Sequence, residues 1–370
     1  MNITYRTYEN DDDISGIVKV FKAAFWRSNF SSFITEDFWR WKYNVDRPNY
    51  DPDGYQIAIY KNSKIVGTVI CTIREMNFFG TTYKVGCIDD VATIPQFWRR
   101  GISQTLLNNA IKFMEERNMD LSMLVADPGY HAHKFYYKNG YDYATKCRIA
   151  FKLIEPLNMI KNLRITLPIT GPIYALEKFQ EYRRFKSCEL PIRLYQVKNL
   201  NDEFLQEINK SYRELVSFED FTREYWNWFR LIRPKMFENI CIAAKLDGKI
   251  IGGGSITKTH YLILNTKKSV PFHVVSEIFV NKSYRRKGVG SQIYRALESI
   301  AARNGTGFMI GFWNKFNRSI QNFLSRNGFF LPSISDVEMI KPISNDFKKI
   351  YPDIKLLKGP WHIALEQSGF

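Results

Sequence analysis

The sequence predicts an α/β chain of the α+β, mixed-sheet kind, built as two tandem copies of one unit. Three observations carry the prediction. Aromatic and glycine landmarks recur at a fixed interval, strand-like and helix-like stretches alternate in the same order in both halves, and each half carries a basic, glycine-bearing turn at one strand-to-helix junction. In "EDFWRWKY" and "REYWNWFR", Phe38, Trp39 and Trp41 map onto Tyr225, Trp226 and Trp228, each 187 positions later. The same interval takes Asp90 to Glu277 and Gly101 to Gly288. Further on, "KFYYKNGY" and "NFLSRNGF" place Phe135 and Gly140 188 positions before Phe323 and Gly328. A W-x-W pair is an ordinary core pattern and N-G an ordinary turn. Their common order is what marks a repeat.

In the first half, helical spacing runs around Ile14 to Phe25 and Glu36 to Tyr43, followed by the strand-like "GYQIAIY", "KIVGTVICTIRE" and "TYKVGCIDDVAT". A helix from Ile102 to Arg117, the strand "DLSMLVAD", a short helix over His131 to Lys138 and a strand around Tyr141 to Lys152 complete it. The second half repeats the plan with "FLQEINKSYREL", "TREYWNWFRLI", "ICIAAKL", "KIIGGGSITKT", "PFHVVSEIFV", a helix after Gly288, "TGFMIGFW", "NRSIQNFLSR" and a strand near Val337 to Lys341. These stretches predict domains at 1–154 and 193–345. A linker or interdomain segment at 155–192 carries the basic cluster Arg183, Arg184 and Lys186, and a folded tail at 346–370 packs on the second domain.

Composition narrows the function. A chain of 370 residues exceeds one ordinary domain, and with 45% hydrophobic and 15% aromatic residues it can bury two cores without staples, which excludes global disorder. The five cysteines are well separated and include no CxxC, so neither a zinc site nor a disulfide framework is expected, and a reducing cytoplasm is the expected setting. His131 and His133 in "HAH" lack a third ligand at a known spacing, so no metal is expected. No apolar run reaches the roughly 18–20 residues that span a bilayer, which argues against integral membrane association. The net charge of +16 favours anionic ligands and argues against a highly cationic acceptor, unless the binding cleft is locally acidic. The basic residues are dispersed and form no nucleic-acid module.

The two turns are "FWRRGIS", Phe97 to Ser103, and "YRRKGVG", Tyr284 to Gly290. Glycines that expose backbone amides at a helix N-terminus, beside Arg and Lys, make a cradle for phosphate oxygens. Neither turn is G-x-G-x-x-G or a P-loop.

Here the chain resembles the GNAT superfamily of acyl-CoA-dependent N-acyltransferases, over roughly residues 5–150 and 193–342. That family binds the coenzyme A pyrophosphate with an [R/Q]-x-x-G-x-[G/A] turn. "RRKGVG" matches it through Arg285, Gly288 and Gly290, with Arg286, Lys287 and Val289 between. "WRRGIS" keeps Gly101 with Arg99, Arg100 and Ile102, but has Trp98 and Ser103 at two constrained positions, a departure that weakens the first site. The resemblance further implies that main-chain groups of Val91, Ala92 and Thr93, or of Ile278, Phe279 and Val280, pair with the pantetheine arm. Of the family's N-x-x-A-x-x-F-Y segment, the second half retains Asn317 but has Leu324 at the tyrosine position, and the first retains Ala132 and Tyr136.

Acyl transfer to an amine needs a group to take the amine proton and one to donate to the leaving sulfur. Asp90 and Glu277, three residues before the ends of their strands, are candidate bases, with a strand-edge salt bridge as the structural alternative. Tyr136 is the candidate donor, with aromatic packing as its alternative. The resemblance therefore implies an acetyl-CoA-dependent N-acetyltransferase acting in a ternary complex on a small-molecule amine, or on a protein amine. Transfer of an aminoacyl or longer acyl group, and noncatalytic sensing of acyl-CoA, are the alternatives. Some multidomain relatives recruit the chain terminus, which makes the carboxylate of Phe370 a further candidate. The sequence selects no oligomeric state.

Overall fold

A computed structural model describes residues 2–26, 34–43, 46–78, 80–128, 131–158, 171–172, 174–176, 178, 188–263, 268–314, 316–333 and 335–355. The basic cluster Arg183, Arg184 and Lys186 and the terminal Phe370 lie outside the described residues.

In chain order the strands are β1 (Ile3–Thr7), β2 (Tyr55–Tyr60), β3 (Lys64–Phe78), β4 (Thr81–Thr93), β5 (Leu121–Ala126), β6 (Asp142–Leu153), β7 (Arg193–Gln196), β8 (Ser217–Phe218), β9 (Asn239–Leu246), β10 (Lys249–Ile263), β11 (Lys268–Val280), β12 (Phe308–Asn314) and β13 (Ser335–Pro342). The labelled helices are α1 (Asp12–Ala24), α2 (Glu36–Tyr43), α3 (Ile102–Glu116), α4 (His131–Lys138), α5 (Asp202–Tyr212), α6 (Arg223–Trp226), α7 (Val289–Arg303), α8 (Arg318–Arg326) and α9 (Asn345–Lys355). A π-helical turn, Asn227–Leu231, follows α6 directly.

The chain divides into two compact units. The first runs to Thr145 and takes up the chain again from Asp336; the second runs from Lys146 to Ser335. The strands of the first unit are ordered β1-β2-β3-β4-β5-β13, with β4 and β5 parallel and the other neighbours antiparallel. Those of the second are ordered β7-β9-β10-β11-β12-β6, with β11 and β12 parallel. One plan is thus built twice, with one change to the predicted boundaries. The strand that neighbours β5 comes from the end of the second half, and the strand that neighbours β12 comes from the end of the first.

This corrects three boundaries. Most of β6 belongs to the second unit, and β13 to the first, because Val337 to Pro342 pair antiparallel with Ala126 to Leu121. The described part of the tail follows β13: Phe347 packs edge-on against Tyr83 and Phe78 of the first unit, at 5.1 and 6.0 Å. A sequence read by segment order cannot see such an exchange, since both strands have the right composition for either sheet.

The repeated interval is a repeated core. Leu106, Leu107, Ala110 and Met114 form the buried stripe of α3, and Ile293, Tyr294, Leu297 and Ala301 form that of α7, each 187 positions on. Trp39 is buried among Tyr8, Tyr43 and Tyr55, and Trp226 among Phe204 and Phe221. Each such ring contributes about 1.5–3 kcal/mol or more through its buried area, since it is larger than a Leu.

The exchange has a consequence for truncation. A fragment cut at 154, where the sequence suggests a boundary, leaves the β5 edge without its partner. We expect it to unfold with low cooperativity in urea, and a chain in which 335–355 is fused after residue 145 to regain a sharp transition by circular dichroism.

Candidate active site

Each unit's site begins where its two parallel strands stop pairing. β4 pairs with β5 only through Val85, Gly86 and Cys87, opposite Leu121, Ser122 and Met123. β11 pairs with β12 only through His273, Val274 and Val275. Beyond those points β4 continues to Thr93 and β11 to Val280 with one edge unpaired by the parallel neighbour. A bulge sits just past each parting. Asp89 and Asp90 together oppose the single position Ile70, and Ser276 is the extra residue between Val275 and Glu277. A bulge turns side chains and bends the strand away from its neighbour. Both bulges fall at the same repeat position, so the parting is inherited by both halves.

Val91, Ala92 and Thr93 pair with β3 on one side, and Ile278, Phe279 and Val280 pair with β10. Their opposite edges face the gap. The basic turns follow at once. Trp98 and Arg285 are extended (φ −62°, ψ 156° and φ −68°, ψ 156°), Arg99 and Arg286 are left-handed at φ 60° and 64°, and Gly101 and Gly288 are left-handed at 78° and 86°. Residue for residue the two turns share one backbone. A Cβ added at Gly101 would meet nothing within 4 Å, so the space over the N-terminus of α3 is open. Such a cradle fits a pyrophosphate, held by main-chain amides and the neighbouring cations.

Trp98 proves to be a substitute where the sequence marks a departure. Its indole N–H donates to the Thr93 carbonyl at 2.6 Å, and Arg285 Nε–H donates to the equivalent Val280 carbonyl at 2.8 Å. Either side chain closes the turn onto the strand end. Arg285 is also paired with Glu214, so its charge is partly spent within the protein. Ser103 meets Thr93 hydroxyl to hydroxyl at 2.9 Å. At the matching place a Cβ on Gly290 would touch Val280 and Phe323 at 3.5 Å, ordinary packing contact. Arg100 lies over the Phe97 ring, and Lys287 over that of Tyr284. Ile102 and Val289 are the buried first residues of their helices, and Asn317 caps α8 by accepting from Ile320 N–H at 3.1 Å.

The two candidate bases differ. Asp90 Oδ2 accepts from the Tyr43 hydroxyl and from Lys42 Nζ at 3.3 Å, while Oδ1 accepts from no described residue. Glu277 has both oxygens engaged: Oε1 takes Arg230 Nη2 and Oε2 the Ser255 hydroxyl, with the ion pair 3% exposed on each side. The partners themselves repeat, since Tyr43 and Arg230 stand 187 positions apart. The π turn after α6 is what carries Arg230. Sequence reading missed Lys42, Tyr43, Arg230 and Ser255; the shared interval was the signal available.

Tyr136 is buried, with its ring against Phe135 at 5.3 Å and Tyr141 at 5.7 Å. Burial, then the charge of Asp90, raises its hydroxyl above the ordinary phenol value, so it stays protonated. No described residue hydrogen-bonds that hydroxyl. Its counterpart Leu324 is buried in the second core and has no proton to give. Among the described residues no group of three or more His, Cys, Asp or Glu is placed to hold a metal, and no helix is long and apolar enough to cross a membrane.

Two more carboxyls of the first unit's sheet carry oxygens without partners among the described residues. Thr72 Oγ1–H donates to Asp89 Oδ2 at 2.6 Å, whereas Asp89 Oδ1 is buried with no partner among the described residues. Glu338 on β13 is fully buried, neither oxygen has a partner among the described residues, and burial pushes its carboxyl up to about 8.

Two predictions follow from these charges. Replacing Glu277 by Gln strands a buried Arg230, which costs about 3–5 kcal/mol, while the double substitution Glu277→Leu with Arg230→Met recovers at least half of that in urea unfolding. Glu338, with a folded-state value above its unfolded one, contributes stability that is complete below the unfolded carboxyl range and is lost as pH rises through about 8. Asp336, pushed up to about 6 by burial and then Asp127, acts in the same direction but is exhausted earlier. His273, lowered to about 4 by burial, Lys258 and His260, loses its contribution only as pH falls. Between pH 6.5 and 8 the decline in Tm therefore belongs to Glu338, and Glu338→Gln should flatten it.

Comparison with known proteins agrees with this geometry. Residues 4–144 match the model of the acetyltransferase (GNAT) domain, and 201–329 that of the acetyltransferase (GNAT) family. Among the curated proteins none matches the chain. Similar solved structures include a tandem GNAT protein from the clavulanic acid biosynthesis pathway (12% identity, TM-score 0.65, covering 93% of this chain and 99% of that one). A GCN5-related N-acetyltransferase from Anabaena variabilis is 11% identical, with TM-score 0.63 and coverage of 93% and 73%. Saccharomyces cerevisiae N-myristoyltransferase with bound myristoyl-CoA is 12% identical, with TM-score 0.64 and coverage of 92% and 79%. With two bulged partings, two cradles and two family matches in order, the chain belongs to the GNAT family of N-acyltransferases as a tandem member, one GNAT unit in each half.

Proposed function

We propose that the chain transfers an acetyl group from acetyl-CoA to a primary amine by direct attack in a ternary complex, and that the first unit performs the chemistry. One observation carries the choice of unit: Asp90 keeps an oxygen without a partner among the described residues, while Glu277 keeps none. Acetyl-CoA, when bound, supplies the activated thioester. The turn at Arg99 to Ser103 holds its pyrophosphate, and the gap-facing edge of Val91 to Thr93 aligns its pantetheine arm and polarises the thioester carbonyl. Asp90 Oδ1 takes the proton that the amine nitrogen loses as the new C–N bond forms. Tyr43 and Lys42 hold the carboxylate in place through Oδ2. Tyr136 gives its proton to the sulfur as the C–S bond breaks, so amide and free thiol leave with protons balanced.

The pairing of Tyr136 with Tyr141 inside the core supports a short acyl group over a long one. In the second unit Glu277 is committed to Arg230 and Leu324 replaces the donor, which supports acyl-CoA binding without turnover there.

Thiol release from acetyl-CoA across a panel of primary amines tests the reaction. Tyr136→Phe should lower kcat by about 10- to 1,000-fold with acetyl-CoA affinity unchanged. Gly101→Glu should abolish turnover in a folded chain, and Gly288→Glu should remove one of two binding events while turnover persists. Loss of turnover on Gly288→Glu alone assigns the chemistry to the second unit, and faster turnover of myristoyl-CoA than of acetyl-CoA overturns the short-chain assignment.

A further inference from the structure

Where the segment joining β6 to β7 is described, it keeps to one helix of the second unit. Near its start Asn158 Nδ2 donates to the Ala302 and Thr306 carbonyls at 3.0 and 3.2 Å, at the C-terminal end of α7. Lys178 Nζ meets Glu298 at 3.1 Å, a turn earlier on that helix. Near the segment's end the Glu189 N–H donates to the Lys287 carbonyl at 3.0 Å, inside the basic turn that precedes α7. Cys188, Leu190 and Ile192 pack there against the core that holds Val289 and Ile293. The described residues thus follow α7 from its last turn to its first, as a strap that finishes on the phosphate turn.

That last bond acts on the cradle. The peptide joining Lys287 to Gly288 is planar and trans, so its C=O and N–H point in opposite directions. A donor on the carbonyl fixes the plane of this peptide and turns the Gly288 N–H away from the strap. Gly288 is the N-cap of α7, and its N–H is one of the main-chain amides that such a turn offers to phosphate. At φ 86° the glycine is the residue whose freedom would otherwise leave that plane least determined. At the repeat interval the first unit is built differently. Asn2 stands in place of Glu189, and its carbonyl accepts from Lys61 N–H at 3.1 Å beside β1 and β2. Ile111 stands in place of Glu298 and packs against the first core.

We propose that the strap end, Cys188 to Ile192, is a positioning element of the second acyl-CoA site. It presets the Gly288 amide for the pyrophosphate, and occupancy of that site in turn tightens the strap on α7. The second unit, whose carboxylate is committed to Arg230, then reads acyl-CoA and returns the result as the state of this strap. The inference rests on acyl-CoA binding at the second turn. By linkage, the factor by which the closed strap raises cofactor affinity is the factor by which cofactor favours the closed strap. One backbone hydrogen bond sets that factor at about two- to tenfold.

The test titrates coenzyme A by calorimetry into the full-length Gly101→Glu chain, which leaves the second turn to bind. In that background Glu189→Pro, which removes the N–H, should weaken binding about two- to tenfold, and Glu189→Ala, which keeps it, should bind as the parent does. Hydrogen exchange needs neither variant. Coenzyme A should slow exchange over 188–192 in the Gly101→Glu chain, most at the Glu189 amide, and should leave it unchanged in the Gly288→Glu chain. Equal affinities of Glu189→Pro and Glu189→Ala, exchange at 188–192 that ignores coenzyme A, or protection that persists in Gly288→Glu each overturns the strap. The readings fail separately. Binding to the Gly101→Glu chain that is indifferent to the Glu189 N–H sinks the strap alone, and absence of that binding sinks the second acyl-CoA site together with the strap. Strap-dependent binding in a chain that releases no thiol with any amine sinks acetyl transfer alone.

Discussion

Everything in each unit depends on two parallel strands that pair over three residues and then part. Had β4 and β5 continued in register, the main chain of Val91 to Thr93 would be satisfied on both edges and no extended ligand could enter. The bulge at Asp89 and Asp90 prevents this by adding a residue to β4 alone. The same local device opens the gap and aims a carboxylate beside it. It also sets the strand end from which the phosphate turn departs, so that backbone amides, unpaired strand edge and carboxylate are supplied by one continuous stretch from Asp89 to Ser103.

Duplication separates what this frame demands from what the chemistry demands. The left-handed pair at the turn is kept in both halves, because the backbone must reverse over the helix N-terminus, and an arginine tolerates the strained first position in each. Closure of the turn is also kept, although Trp98 supplies by an indole N–H what Arg285 supplies by a guanidinium. The carboxylate's companions were not kept. A tyrosine and a lysine hold one oxygen of Asp90, whereas an arginine and a serine take both oxygens of Glu277. Each carboxylate thus has a buried cation beside it, Lys42 or Arg230, and the two differ in whether the second oxygen is also engaged.

The repeat, the two basic turns and the order of elements were legible because they are local. Helical spacing located α2 and α4 with their present ends, and alternation located the long strands. The exchange of β6 and β13 was illegible, since nothing in "SDVEMIKP" states which sheet edge it will meet. Asp90, Glu277 and Tyr136 were nominated by position and chemistry, but their difference in availability depends on Lys42, Tyr43, Arg230 and Ser255, all distant in sequence. Trp98 looked like a defect because a motif records side-chain identity, while the turn requires only an N–H at the right place.

Glu338 shows where such locality ends most clearly. On its own strand it interrupts an apolar run and reads as a misplaced charge. Its setting comes from Val125 on β5, its register partner, which lies far from it along the chain. A protein that already holds its second unit's carboxylate with an arginine has the means to neutralise a buried acid. In the first unit it does so for Asp90, through Lys42, and not for Glu338. An acid buried without a donor makes the folded state costlier, and the exchange of β13 into the first sheet is what places it there.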